Sequence, residues 1–392
     1  MRNDTPARGG NIRHRHFEQR VVAIPYTFSV TQCYARFMLS RHRLIHGDAT
    51  RLDAIGSEEI DLVVTSPPYP MIAMWDDIFA SQDNTIRHAL EAGDGRRAFL
   101  LMHGVLDRVW SECFRVLRPG GFLCVNVGDA VRTVAGEFRL YTNHARIVTA
   151  CEEIGFSSLP TIHWFKPTNA PNKFMGSGML PAGAYVTLEH EYVLIFRKGG
   201  KRVFTGADRD RRRRSAFFWE ERNRWFSDTW EINGVSQAPF GDHRSRSAAF
   251  PLELAFRVVN MYSLIGDTVL DPFCGTATTT RAAIATGRSS IGYEIDRAIV
   301  DRARETLSGS VRDLNERQHR RLREHEEFVS ERRNRAGERA TGYTNRPLDT
   351  PVVTSQERDI TIPLVVEMTT DADGTIVVRH EAAEAYNEDG EV

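Results

Sequence analysis

Short apolar runs rich in β-branched residues alternate along this chain with longer stretches whose apolar residues recur at helical spacing. That alternation constrains the fold more than any other property. RLIHGDAT, ending at Thr50, and DLVVT, Asp61 to Thr65, read as strands; FLLMHGVLDRVWSECFRVL, Phe99 to Leu117, reads as a helix stopped by Arg118-Pro119-Gly120-Gly121. FLCVNVG is a further strand, a helix is predicted near Thr142 to Ile154, and TIHWFKP and EYVLIFRK are again strand-like. After Pro251 a helix is predicted to about Leu264, followed by a strand, tight loop and helix start in TVLDPFCGTATTT and another strand in SSIGYEID. Strands separated by helices pair mostly in parallel, so the sequence calls for an α/β layer structure.

The 392 residues fall into six stretches: an N-terminal arm (1–43), a first half of the main domain (44–197), an insertion (198–246), a second half (247–305), a charged helical extension (306–340), and a linker with a C-terminal hairpin around Asp373-Gly374 and an acidic tail (341–392). The formal net charge of -1 hides a local bias, because Arg197 to Arg246 carries 13 Lys or Arg against 7 Asp or Glu. Phe217, Phe218, Trp219, Trp225, Phe226 and Trp230 are interleaved with those charges, a mixture suited to nucleic acid. The five cysteines, Cys33, Cys113, Cys124, Cys151 and Cys274, are odd in number and lie mostly in apolar runs. Buried thiols in a reducing cytoplasm are expected, with neither a disulfide framework nor a metal site. Val21 to Leu39 is interrupted by Pro25, Gln32 and Arg36, which argues against a membrane span.

Two loops carry the chemistry. Asp271-Pro272-Phe273-Cys274-Gly275-Thr276-Ala277 follows an apolar strand and opens a helix, a setting in which small residues let a ligand approach the backbone. Glu294 closes the next strand, where a carboxylate can accept hydrogen bonds from a ribose diol. The other loop is Ser66-Pro67-Pro68-Tyr69, which terminates DLVVT. Its prolines fix φ and remove donors, so the turn stays open and offers a hydroxyl and rigid carbonyls beside an aromatic face. Such a set fits a planar, amino-bearing base.

Taken together, Ser66-Pro67-Pro68-Tyr69, the DPFCGTATTT loop and GYEID resemble the permuted β class of amino-group DNA methyltransferases, which use S-adenosylmethionine. The likeness runs from about Leu44 to Ala303 and includes HGDAT, RVLRPGG, HWFKP and FPLELAFRVV. It implies a Rossmann-like, doubly wound, mostly parallel sheet with circularly permuted motif order, an inserted target-recognition region and a C-terminal extension. It also implies that the Asp271 to Ala277 loop, above all Phe273 and Gly275, lines the methionine and adenosine portions of the cofactor. Glu294 would then hold the ribose and Asp48 would lie near the adenine. One departure stands out: Ala277 occupies a place where the family usually has a second glycine.

In that class Ser66 and the Pro67 carbonyl would accept the two amine protons of a flipped base while Tyr69 stacks on its ring. Serine at the first motif position resembles enzymes acting on N4 of cytosine, whereas Asp or Asn is usual for N6 of adenine. A cytosine-C5 mechanism needs a cysteine after a proline, and no Pro-Cys occurs. Double-stranded DNA is the expected partner, held through Arg211, Arg212, Arg213, Arg214, Arg222 and Arg224. Alternatives are an N6-adenine enzyme, a catalytically silent DNA-binding protein, or a relative acting on nucleotide, RNA or protein glutamine. A cognate restriction endonuclease on a separate chain fits the same reading, which leaves monomer and homodimer open.

Overall fold

The computed structural model describes residues 37–166, 175–234 and 250–383, and the unit beginning at Phe37 is compact. Among the described residues ten strands form the main sheet: β1 (Phe37–His46), β2 (Ile60–Thr65), β3 (Leu117–Val127), β4 (Phe156–Phe165), β5 (His190–Lys198), β6 (Thr229–Glu231), β7 (Thr268–Asp271), β8 (Ser289–Glu294), β9 (Pro363–Thr370) and β10 (Ile376–Ala382). Their spatial order is β6-β4-β5-β3-β2-β7-β8-β1-β10-β9. The five strands from β3 to β1 pair in parallel, whereas β5 is antiparallel to both neighbours and the β9/β10 hairpin is antiparallel to β1.

β2 is buried along its whole length, as a central strand covered on both faces must be. One face is covered by α1 (Gly95–Val116) and α2 (Asn143–Ile154), whose Met102, Val109, Trp110 and Ile147 pack on Val63, Val125 and Leu194. α1 starts where the Asp94 side chain caps Arg97 N–H. Further along the chain come α3 (Ala207–Arg214), α4 (Trp219–Trp225), α5 (Leu252–Tyr262), α6 (Thr278–Ala285), α7 (Arg297–Ser308) and α8 (Val311–Ala336). Leu254 and Val258 of α5 and Ala282 of α6 cover the opposite face against Leu62, Val64 and Val269.

The chain leaves β2 toward β3 on one side and leaves β7 toward β8 on the other, so the order reverses between β2 and β7. Ligands in open α/β sheets bind beyond the carboxyl ends of the strands at such a reversal. The loops after β2 and β7 are the two singled out above.

Four expectations change in detail. Arg118 to Gly121 lies inside β3 at a register shift against β2, because Gly120 takes φ +81 and a Cβ there would come within 2.7 Å of the Arg202 backbone nitrogen. The arm loses residues 37–43 to β1, and the C-terminal hairpin joins the main sheet as its edge instead of standing apart. Within the insertion, Phe218, Trp225 and Trp230 are fully buried, and β6 pairs with β4. Cys113, Cys124, Cys151 and Cys274 are free and buried. Cys33, residues 1–36, residues 235–246 of the insertion and the acidic tail after 383 lie outside the described residues.

Candidate active site

Asp271, at the end of β7, ties the two loops together. Its carboxylate accepts from Thr65 Oγ1 at 2.6 Å, from Thr279 Oγ1 at 2.6 Å and from Phe273 N–H at 3.0 Å. Burial outweighs those bonds and pushes its pKa up to about 6. The side chain faces inward, so Asp271 shapes the loop after β7 from behind.

Glu294 ends β8 with its carboxylate accepting from Gly275 N–H and Asp296 N–H, both at 3.1 Å. A carboxylate has about four lone-pair positions, so acceptor capacity remains for a diol. Burial raises its pKa. A Cβ placed on Gly275 would meet nothing within 4 Å, which leaves open space against the loop. An acceptor-only group beside an open, glycine-flanked loop, with Phe273 half-buried next to it, fits a nucleoside-bearing cofactor. Asp48 follows β1 at the same edge, where Gly47 N–H donates to Glu294 O at 2.9 Å. Ala277 adopts φ +66 at the start of α6, and its methyl is buried in an apolar cluster with Ile284 and Val300. The missing glycine therefore adds its carbon to the core.

Beyond β2, Ser66 and Tyr69 belong to a network that sequence reasoning missed. Ser66 Oγ lies 3.0 Å from Tyr69 Oη, which donates to Glu191 Oε2 at 3.0 Å. Asn126, near the end of β3, directs Nδ2 to Tyr69 Oη at 2.9 Å and to Glu191 Oε2 at 2.6 Å. Lys166, just after β4, forms an ion pair with the other Glu191 oxygen and sits 4.6 Å from the Trp164 ring centre. Burial, followed by the Glu191 charge, holds the Tyr69 phenol well above the usual tyrosine pKa. Gly128 makes room for this packing, since a Cβ there would come within 3.2 Å of the Tyr69 ring and of Glu191.

A second brace reaches the turn from α2. Asn143, fully buried, donates to Pro70 O at 3.2 Å and Gly128 O at 3.0 Å while His103 of α1 meets its Oδ1 at 3.0 Å. Met71, buried at φ +67, completes the reversal after Pro70. None of these residues carries a local signal: Asn126 and Glu191 look like single polar residues at strand ends, and only strand pairing brings them to Tyr69.

The cations expected to hold DNA are placed elsewhere. Arg211 pairs with Asp267 at 3.2 Å, just before β7, and Arg202 pairs with Asp267 and with Asp61, beside the start of β2. Asp267 lies at the amino edge, about 13 Å from Asp271 along the strand direction. Arg212 stacks on Phe204, Arg213 pairs with Asp210, and the Arg214 carbonyl accepts from Thr361 N–H. Arg222 lies over Phe226, and Arg224 pairs with Glu324 of α8 at 2.8 Å. Charge pairing ties Arg211 to Asp267 at the strand starts and Arg224 to α8. The carboxyl edge instead presents Lys166, His163 and His190 beside the exposed Phe165. No group of histidine, cysteine and carboxylate side chains suited to a metal occurs among the described residues.

Residues 60–305 match the DNA methylase family profile. Type II methyltransferase M.MthZI of Methanothermobacter thermautotrophicus is 46% identical over 327 residues, covering 82% of this chain and 90% of that protein. Type II methyltransferase M.MjaI of Methanocaldococcus jannaschii is 50% identical over 271 residues, covering 66% and 89%. The Thermus thermophilus protein TTHA0409, in its complex with S-adenosyl-L-methionine, superposes with a TM-score of 0.51 at 34% identity, covering 68% of this chain and 95% of that one. The chain belongs to the DNA methylase family of S-adenosylmethionine-dependent methyltransferases. No helix among the described residues is long and apolar enough to cross a membrane.

Proposed function

We propose that the protein methylates the exocyclic N4 nitrogen of cytosine at a defined short sequence in duplex DNA. The observation carrying this reading is Ser66, a serine at the head of the Pro-Pro-Tyr turn, beside the strand-order reversal and tied to Tyr69. When bound, S-adenosylmethionine supplies an electrophilic sulfonium methyl. Phe273, the Gly275 backbone, Glu294 and Asp48 are the residues that would hold it.

An exocyclic amine is a weak nucleophile because its lone pair is delocalised into the ring. Accepting its two N–H groups at Ser66 Oγ and the Pro67 carbonyl favours a pyramidal nitrogen with the lone pair directed outward. Rigid prolines keep those acceptors fixed, and well-oriented reactants gain roughly 7–11 kcal/mol of the barrier in favourable cases. Removing the base from the duplex costs a few kcal/mol, which stacking on Tyr69 offsets by about 1–3 kcal/mol. The two type II methyltransferases among the relatives support a restriction setting, with the endonuclease as a separate chain.

Mass spectrometry of nucleosides from DNA of expressing cells tests the product. N4-methylcytosine is expected, and Tyr69→Ala should abolish most of it while cofactor binding survives. N6-methyladenine alone would overturn the base assignment, and no modified base would overturn the reading as a whole.

A further inference from the structure

The proton inventory around Tyr69 determines which way the Ser66 hydroxyl points. Glu191 Oε2 is approached by two donors, Tyr69 Oη at 3.0 Å and Asn126 Nδ2 at 2.6 Å, while Lys166 holds Oε1. An ionised carboxylate only accepts, so Tyr69 must spend its one proton on Glu191. The elevated Tyr69 pKa keeps that proton in place. The same acceptor orients the Asn126 amide, whose nitrogen faces Glu191 and Tyr69 and whose buried Oδ1 has no hydrogen-bond partner. Tyr69 Oη is thereby left as an acceptor toward Ser66 Oγ, 3.0 Å away, and the Ser66 proton is drawn to it. Asn126 Nδ2 also approaches Ser66 Oγ, at 3.5 Å, so one Ser66 lone pair faces that amide and the other remains for the substrate.

We propose that Glu191, held by Lys166, is a positioning residue for methyl transfer: through Tyr69 it polarises the chain so that Ser66 presents an acceptor, never a donor, to the amine. The proposal rests on the reading of Ser66 as the amine's acceptor and adds a residue from β5 that acts on Ser66 through Tyr69. An amine to be methylated offers two N–H groups and must keep its lone pair free for the incoming methyl. A Ser66 that donated would bond to that lone pair and block attack. Glu191 selects between these two states of one hydroxyl.

Glu191→Gln is the discriminating substitution because it keeps the shape and changes the hydrogen inventory. Lys166 needs an acceptor on its side, which turns the new amide nitrogen toward Tyr69. Tyr69 would then accept from that amide and donate to Ser66, and the chain would reverse. Single-turnover methyl transfer from radiolabelled S-adenosylmethionine to substrate duplex should slow by at least tenfold in Glu191→Gln, with the cofactor Kd and Tm close to the parent's. Tyr69→Phe removes the relay without reversing it, so Glu191→Gln added to Tyr69→Phe should slow the reaction by less than twofold further. A rate within twofold of the parent for Glu191→Gln, or an equal loss in both backgrounds, would overturn the proposal. So would loss of cofactor binding in step with activity. A parent that yields N6-methyladenine would refute the cytosine assignment while leaving the Glu191 effect intact, since both bases present an amine.

Discussion

Glu294 anchors the loop after β7, and the ribose contact we propose would draw on the same carboxylate. It anchors Gly275 and Asp296 through their backbone N–H groups, so the carboxylate is fixed before any ligand arrives. Glu294→Gln keeps the volume but replaces one acceptor oxygen by a donor. Hydrogen bonds to a charged group are worth about 1.5–3 kcal/mol, so S-adenosylmethionine binding should weaken by roughly 10- to 150-fold with little change in Tm. Equilibrium dialysis reads this directly. Binding as tight as the parent's would remove Glu294 from the ribose site.

Helix α8 is the element whose role changed most between sequence and structure. Its sequence shows only a charged helical extension, yet Arg321 makes a buried bidentate pair with Glu221 of α4 at 2.5 and 2.8 Å, and Arg317 pairs with Glu253 of α5. His325 stacks on Phe218 at 3.8 Å between ring centres and meets Glu220 at 2.8 Å. α8 thus clamps the insertion to the domain. In α3, Arg211 is held by Asp267 at the amino edge of the sheet while Arg212 and Arg213 stay exposed, and the placement of Arg211 at that edge gives a clear expectation for DNA binding. Changing Arg211 to Arg214 to alanine should lower Tm through the lost Asp267 pairing and leave the salt dependence of DNA affinity nearly unchanged. Each true phosphate contact removed would flatten the log-log slope by about 0.9. Fluorescence anisotropy over a salt series measures it, and a slope flattened by about two such contacts or more would return the run to the DNA interface.

At the scale of the whole molecule, three buried histidines set a pH response. Burial lowers His42 and His103 to about 3 and His380 to about 4, from an ordinary value of 6.5. His42 and His380 share Ser40 Oγ at 2.8 Å each, and His42 also meets Ser290 at 2.9 Å, so this polar rung joins β10, β1 and β8. In the unfolded chain these rings take up protons near pH 6.5, whereas in the folded chain they stay neutral. Stability is therefore full above about pH 6.5 and falls as pH drops toward about 4. Asp61 and Asp271, raised to about 6, work in the opposite direction with smaller shifts. The net expectation is a lower Tm at about pH 5 than at about pH 7 in buffers of equal ionic strength. An unchanged or higher Tm at the lower pH would mean that these rings are not buried neutral.

The parallel α/β architecture and the two loops at the strand-order reversal were legible in the sequence because each rests on local patterns. A strand such as DLVVT, a Pro-Pro-Tyr turn or a strand-loop-helix around Gly275 is encoded within a short run of neighbouring residues. Even Asp48, Ser66 and Glu294 declare themselves as polar residues at strand ends. What the chain could not reveal locally depends on strand pairing and on charge partners far away in sequence. Glu191 and Asn126 meet Tyr69 only because β5 runs antiparallel beside β3. Arg211 is held at the amino edge of the sheet because Asp267 lies at the start of β7. The aromatic residues of the insertion, with its arginines, read as a mixture suited to nucleic acid until α8 and β4 bury Phe218, Trp225 and Trp230. Composition reports which groups a segment owns, and tertiary pairing decides which of them remain free to act, because a charge or ring satisfied inside the fold is no longer available to a ligand.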